Sequence, residues 1–119
     1  MYKITTYQGL TFTMGESFDI AEYFELLNSN IDSVAISEVS TLKHNIQKIE
    51  PIYEEEPTEK KLLIYTTRGD EAMVSYSDDY DAGSVTQQVN STKRQAFIRI
   101  GNVVINRNEY SLVMPEQNV

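Results

Sequence analysis

Apolar and polar positions alternate with a period of two along most of the chain, and switch once, clearly, to a helical period. Residues 2–7 alternate as a half-buried strand, with Tyr2, Ile4 and Thr6 on one side and Lys3, Thr5 and Tyr7 on the other. Gln8-Gly9 is a turn signal, and residues 10–14 return as a second strand. Gly15-Glu16-Ser17 breaks the pattern. Asp19 stands where an N-cap belongs, with Glu22 three residues on as in a variant capping box. Ile20, Tyr23, Phe24 and Leu27 then fall at i, i+3, i+4 and i+7, which predicts a helix over 20–28 with Glu22 and Glu25 on its wet side. Extended runs at 33–39 and 45–52 follow, the second ended by Pro51, which has no N–H for a ladder. Residues 53–61 are polar, charged and proline-containing, and read as an exposed acidic linker.

The pattern then restarts. Residues 62–67 and 71–76 read as strands about an Arg68-Gly69-Asp70 turn, and 83–90 as a short helix weakened by Gly83, Val85 and Thr86. The segments 97–100 and 103–105 flank Gly101-Asn102, a Gly-first pair suited to a type II′ turn. With 110–114 they read as a closing three-stranded antiparallel meander. Ile4 and Gly9 recur sixty residues on as Ile64 and Gly69. Val34, Ile36, Val39, Ile46, Ile49 and Pro51 recur sixty-four residues on as Ile98, Ile100, Val103, Tyr110, Val113 and Pro115. This is the pattern of a tandem ββαββ duplication, or of two unrelated strand-rich halves that align through alternation. The expected fold is α+β, mainly β: a curved antiparallel sheet or pseudo-barrel covered by one good amphipathic helix. It forms a single compact domain over 1–119, or two similar halves, 1–52 and 62–115, joined by 53–61. Phe24, Ile36, Ile98, Ile100 and Val103 are expected in the core.

Composition narrows the function classes. There is no Cys, which excludes disulfides and thiolate metal sites. No apolar run approaches the roughly 20 residues of a membrane span, and the first residues lack the apolar run of a signal peptide, so a cytoplasmic location is the default. The net charge of −8 is uneven. Residues 1–60 carry four basic side chains against eleven carboxylates, and residues 61–119 six against seven. An acidic first half repels nucleic acid and anionic lipid and suits a basic protein surface, or serves solubility alone.

No motif dictates a chemistry. Asp78, Asp79 and Asp81 do not frame a calcium loop: counted from Asp79, Gly83 arrives fifth rather than sixth, and Asn90 stands twelfth in place of the closing Glu. His44 is the only histidine, with neither a nucleophile nor an orienting carboxylate singled out beside it. The glycines are scattered singly, as turns require, and form no phosphate-binding loop. We therefore assign no catalytic, cofactor or metal residues and read the chain as non-enzymatic. Two binding surfaces remain. Lys93, Arg94, Arg99 and Arg107, with Phe97 and Tyr110 among them, have the makings of a stacking and phosphate-contacting face for single-stranded RNA, or of basic guards on a strand edge. Glu22, Glu25, Glu54, Glu55 and Glu56 are candidates for protein binding.

In length, acidity, lack of Cys and strand order, and in the ending Phe97-Ile98-Arg99-Ile100-Gly101-Asn102-Val103-Val104-Ile105-Asn106 with Pro115 beyond it, the chain resembles the PrgU-like accessory proteins of enterococcal conjugative plasmids. The resemblance implies a compact fold similar to PUA-type RNA-binding domains and a role in restraining a plasmid-encoded surface adhesin. It transfers no diagnostic motif residue by residue. The expected function is thus a regulatory binding protein of a plasmid or phage, with RNA as partner. The alternative is an acidic decoy that occupies a basic nucleic-acid-binding surface.

Overall fold

A hairpin whose two faces are both apolar must be covered on both sides, and residues 97–106 form such a hairpin. In the computed structural model, which describes residues 1–15, 18–67, 72–91 and 95–116, the chain runs β1 (Tyr2–Thr6), β2 (Thr11–Met14), α1 (Ile20–Leu27), β3 (Ser33–Ile36), β4 (Val39–Leu42) and, after a 3-10 turn at Lys43–Asn45, β5 (Ile46–Pro51). It continues β6 (Lys61–Thr66), β7 (Met73–Tyr76), α2 (Ala82–Val89), β8 (Phe97–Ile100), β9 (Val103–Asn106) and β10 (Tyr110–Pro115). The strands form a five-stranded sheet in the order β2-β1-β5-β9-β8, a three-stranded sheet β10-β6-β7 and a two-stranded sheet β3-β4, every pairing antiparallel. The class is α+β, mainly β.

Several expectations are corrected. Among the described residues no sheet closes into a barrel: the five-stranded sheet ends at β2 and β8. The short helix expected over 83–90 is present as α2. The run at 33–39 is a hairpin, because Ser37 adopts φ 56° and turns the chain between β3 and β4. The closing meander does not form. The β8–β9 hairpin is present, with Gly101 at φ +59° and Asn102 not at positive φ, as a type II′ turn requires. The outer edge of β9, however, is taken by β5, and β10 leaves to pair with β6. Phe24 is half-buried rather than central, whereas Ile36, Ile98, Ile100 and Val103 are buried.

The pairing scheme is repeated. β1–β2, β1–β5 and β3–β4 have counterparts β6–β7, β6–β10 and β8–β9. Register agrees as well: Ile4 faces Ile49 as Ile64 faces Val113, and Tyr2 faces Pro51 as Leu62 faces Pro115. The β1–β5 ladder slips at Gln47 and the β6–β10 ladder at Ser111, positions that the sixty-four-residue offset makes equivalent. Each helix has eight residues, an Asp N-cap and an Asn C-cap: Asp19 accepts the N–H groups of Ala21 and Glu22, and Asp81 that of Ser84. These carboxylates satisfy N–H groups that the first turn leaves without partners.

Alternation along β8 and β9 sends side chains to two cores. Phe97 and Val104 enter the first, with Ile4, Ile36, Ile46, Ile49 and α1's Ile20 and Leu27. Ile98, Ile100, Val103 and Ile105 enter the second, with Leu62, Ile64, Met73 and α2's Val85. The hairpin is the wall between them. Its outer edge, the free side of β8, is closed by two amides. Asn28 Nδ2 donates to the Phe97 carbonyl (3.1 Å) and its Oδ1 accepts the Phe97 N–H (2.9 Å). Gln88 makes the same pair of bonds to Arg99, both at 2.9 Å. A side-chain amide carries one donor and one acceptor on the spacing of a peptide unit, so it replaces a missing neighbour strand.

Candidate functional site

Of the candidates for the basic face, the four that the structure describes, Phe97, Arg99, Arg107 and Tyr110, are drawn into the fold rather than onto one surface. Phe97 is completely buried in the first core, so its ring has no face to offer a base. Tyr110 is half-buried against the second core, and burial pushes its phenol above the usual range. Arg99 is half-buried, and its Nε donates to the Gly101 carbonyl at 2.9 Å, at the turn end of the β8–β9 hairpin. Arg107 lies beyond the other end of that hairpin. Its Nη2 donates to the Val89 carbonyl at 2.7 Å, at the end of α2, where a cation is favourably placed. Lys93 and Arg94 lie outside the described residues, as do residues 68–70 of the Arg-Gly-Asp turn. The structure therefore gathers no stacking surface from Phe97, Arg99, Arg107 and Tyr110. The missing signal was two-sided burial, which alternation cannot report when both faces of a hairpin are covered.

The acidic candidates are on the surface. Glu22 and Glu25 are exposed on α1, Glu22 in its first turn. Glu54, Glu55 and Glu56 are exposed in the linker, and Glu59 beside them. The linker is anchored. Tyr53 packs edge-on against Tyr76 with ring centroids 5.0 Å apart, the Tyr76 hydroxyl donates to Glu56 (3.3 Å), and the Lys60 N–H donates to Asp78 (3.0 Å). Burial raises the Tyr53 phenol to about 12, reinforced by Tyr2, Tyr76, Glu59 and Glu50 nearby. Its buried hydroxyl has no hydrogen-bond partner among the described residues. Tyrosines and carboxylates thus converge where β5 hands over to β6, and none of Glu54, Glu55, Glu56 or Glu59 forms an ion pair among the described residues. Sequence reading marked the carboxylates but not the tyrosines that hold them.

Two concave regions are uncharged or nearly so. A groove of about 640 Å3 runs between the β1–β2 turn and β4, lined by Thr6, Leu10, Phe12, Val39, Thr41 and Leu42 among others. His44 lines a depression of about 320 Å3 with Gln95, Asn106 and Arg107, and no carboxylate is among the described lining residues. Among the described residues no three His, Asp or Glu side chains are placed to hold a metal, and no helix is long and apolar enough to cross a membrane. Glu109 is buried beside the β9–β10 turn, where Gln47 Nε2 donates to its carboxylate at 3.4 Å.

Compared with known protein families, curated proteins and solved structures, the chain matches none of the three.

Proposed function

We propose that the chain is a non-enzymatic regulatory binding protein that engages a basic protein surface through the acidic segment around Glu54, Glu55 and Glu56. One observation carries the reading, the unequal disposition of the charges. The linker carboxylates stand in solvent on an anchored backbone, free of ion pairs among the described residues. Arg99 and Arg107 are engaged with main-chain carbonyls of the fold. A surface of one sign steers a partner of the other sign and repels nucleic acid. Occupation of a nucleic-acid-binding protein by such a decoy fits the regulatory role implied by the likeness to plasmid accessory proteins. We also read the two halves as copies of one ancestral unit, on the strength of their common pairing, register, bulge position and helix caps.

The test is capture from a host lysate on immobilised protein, eluted by a salt gradient, beside the triple variant Glu54→Gln, Glu55→Gln, Glu56→Gln. The expected result is a DNA- or RNA-binding protein that elutes at lower salt from the variant and competes with nucleic acid for the wild type. Salt-dependent binding of labelled RNA by the purified wild type, lost in Arg99→Ala/Arg107→Ala, would overturn the reading in favour of an RNA face.

A further inference from the structure

The shared register implies one strand pairing that the chain does not make. In the five-stranded sheet β5 pairs antiparallel with β9, Ile49 facing Val104 and Lys48 facing Ile105. The sixty-four-residue offset carries β5 onto β10 and β9 onto β4. The equivalent contact sets Val113 against Ser40 and Leu112 against Thr41. Among the described residues it is absent: β4 pairs with β3 alone and β10 with β6 alone. The sheet β2-β1-β5-β9-β8 therefore has a counterpart left in two pieces, β7-β6-β10 and β4-β3. The Lys43 N–H donates to the Asp32 carbonyl (3.0 Å) as the Arg107 N–H donates to that of Ala96 (2.9 Å). The β3–β4 ladder thus alternates as β8–β9 does, and it turns the Ser40 main chain away from β3 as the Val104 main chain is turned toward β5. The Glu116 N–H donates to the Lys61 carbonyl (3.0 Å) as the Ile52 N–H donates to that of Met1 (2.8 Å). Val113 accordingly turns its main chain away from β6 as Ile49 does from β1. Burial differs as the pairing does. Ile49 and all of β9 are buried, whereas Val113, Val39 and Thr41 are half-buried, Leu112 is 44% exposed and Leu42 63%.

We infer that β10 of a second copy adds to the open edge of β4, antiparallel, with Val113 against Ser40 and Leu112 against Thr41. The sheet β7-β6-β10-β4-β3 is then completed between two chains, in the register that β5 and β9 hold within one. The register selects the occupant: β10 is the strand whose counterpart fills this position in the other half, and its own outer edge is open. The groove of about 640 Å3 runs along β4, with Val39, Ser40, Thr41 and Leu42 in its wall, Leu10 and Phe12 beyond them, and no charged side chain among its described lining residues. The strand Tyr110–Pro115 brings no charge into it. β4 itself carries none of the usual guards of an open edge, a charge, a proline or a bulge, whereas Asn28 and Gln88 close the edge of β8. Strand addition supplies main-chain hydrogen bonds to both edges at once. The contact joins two different strands, so it is heterologous and runs from copy to copy as a ring or an open chain.

The chain has no Cys, so an introduced disulfide reports the pairing directly. Purified Thr41→Cys chains are mixed with Leu112→Cys chains and oxidised, with no other protein present, so that the result is independent of the acidic-segment reading. The two positions are the counterparts of Ile105 and Lys48, a pair whose main chains turn away from each other. Such a pair brings its Cα atoms to about 4.5 Å, within disulfide reach. The expected product is a disulfide-linked pair of chains in the mixture and in neither variant alone. No cross-link in a mixture of folded variants overturns the proposal, as does an equal cross-link in Leu112→Cys alone, which would set β10 against β10. In sedimentation velocity the wild type is expected above the mass of one chain, increasingly so with concentration. Ser40→Pro puts a ring in place of the outward N–H, which an open edge tolerates, and is expected at the mass of one chain with native circular dichroism. A wild type of one-chain mass throughout the series overturns the proposal and leaves the edge to a strand of a different protein. A folded Ser40→Pro variant that associates like the wild type overturns it equally. Should that variant fold poorly, the cysteine mixture decides.

Discussion

Replacing Gly101 by Ala tests the reasoning about the central hairpin most sharply. Gly101 sits at φ +59°, and a Cβ there would lie 2.5 Å from Ser75 Oγ and 3.0 Å from the Tyr76 carbonyl oxygen. Ser75 is completely buried, and its hydroxyl donates to the Ile100 carbonyl at 2.8 Å. It cannot move aside without leaving two buried polar groups without partners. Left-handed backbone in an L residue costs about 1–2 kcal/mol, and orphaning a buried hydrogen-bonding group about 1–3 kcal/mol. The expected loss is therefore roughly 2–5 kcal/mol. Urea denaturation followed by circular dichroism measures it as a lower midpoint at unchanged slope, the sign that stability alone has changed. In a Ser75→Ala background Oγ is gone, so the further loss on adding Gly101→Ala must shrink toward the backbone contribution. A single-variant loss below about 1 kcal/mol, or an undiminished loss in the Ser75→Ala background, refutes the account.

Two further outcomes follow from particular residues. Ser37 occupies the equivalent turn at φ 56°, so Ser37→Gly relieves strain of about 1–2 kcal/mol against a glycine entropy penalty of roughly 0.5–1 kcal/mol. The urea midpoint should rise, and a fall would show that the side chain makes a contact worth more than the strain. The raised Tyr53 phenol, to about 12, means that the folded chain holds this proton more tightly than the unfolded chain, in which Tyr titrates at about 10. Its contribution is present below pH ~10 and disappears as pH rises toward 12. Tyr53→Phe should flatten that alkaline decline in stability and, since the hydroxyl has no partner among the described residues, should leave the midpoint at pH 7 undiminished.

What the sequence made legible is what local chemistry decides. The Asp19 cap, the inward stripe through Ile20 and Leu27 and the Gly101-Asn102 turn each rest on a few neighbouring residues, and each is present. The sixty-four-residue offset was also readable, and it marks the matched bulges at Gln47 and Ser111. The destination of residues 110–115 was not readable. Both β5 and β10 can pair with a free edge, and only the assembled molecule decides which one reaches β9. The turn at Ser37 was hidden because it lacks the glycine that advertises positive φ. The burial of Phe97 was hidden for a similar reason: Phe97-Ile98-Arg99-Ile100 alternates, but alternation cannot say that a core lies on each side.

The difference between the two hairpins explains why the two halves cannot be independent. In β8–β9 both faces are apolar, Phe97 and Val104 on one and Ile98, Ile100, Val103 and Ile105 on the other, and all six are buried. In β3–β4 only one face carries buried residues, Val34 and Ile36, while Ser33, Ala35, Ser40 and Leu42 are exposed. A one-sided hairpin belongs at the periphery, and among the described residues β3–β4 pairs with no other strand. A two-sided hairpin must be enclosed, and β9 joins β5 of the other half to achieve this. The first core is then completed by Phe97 and Val104, residues supplied from beyond the linker. Residues 1–52 alone would lack the ring at the centre of that core, so the linker connects two parts of one cooperative unit.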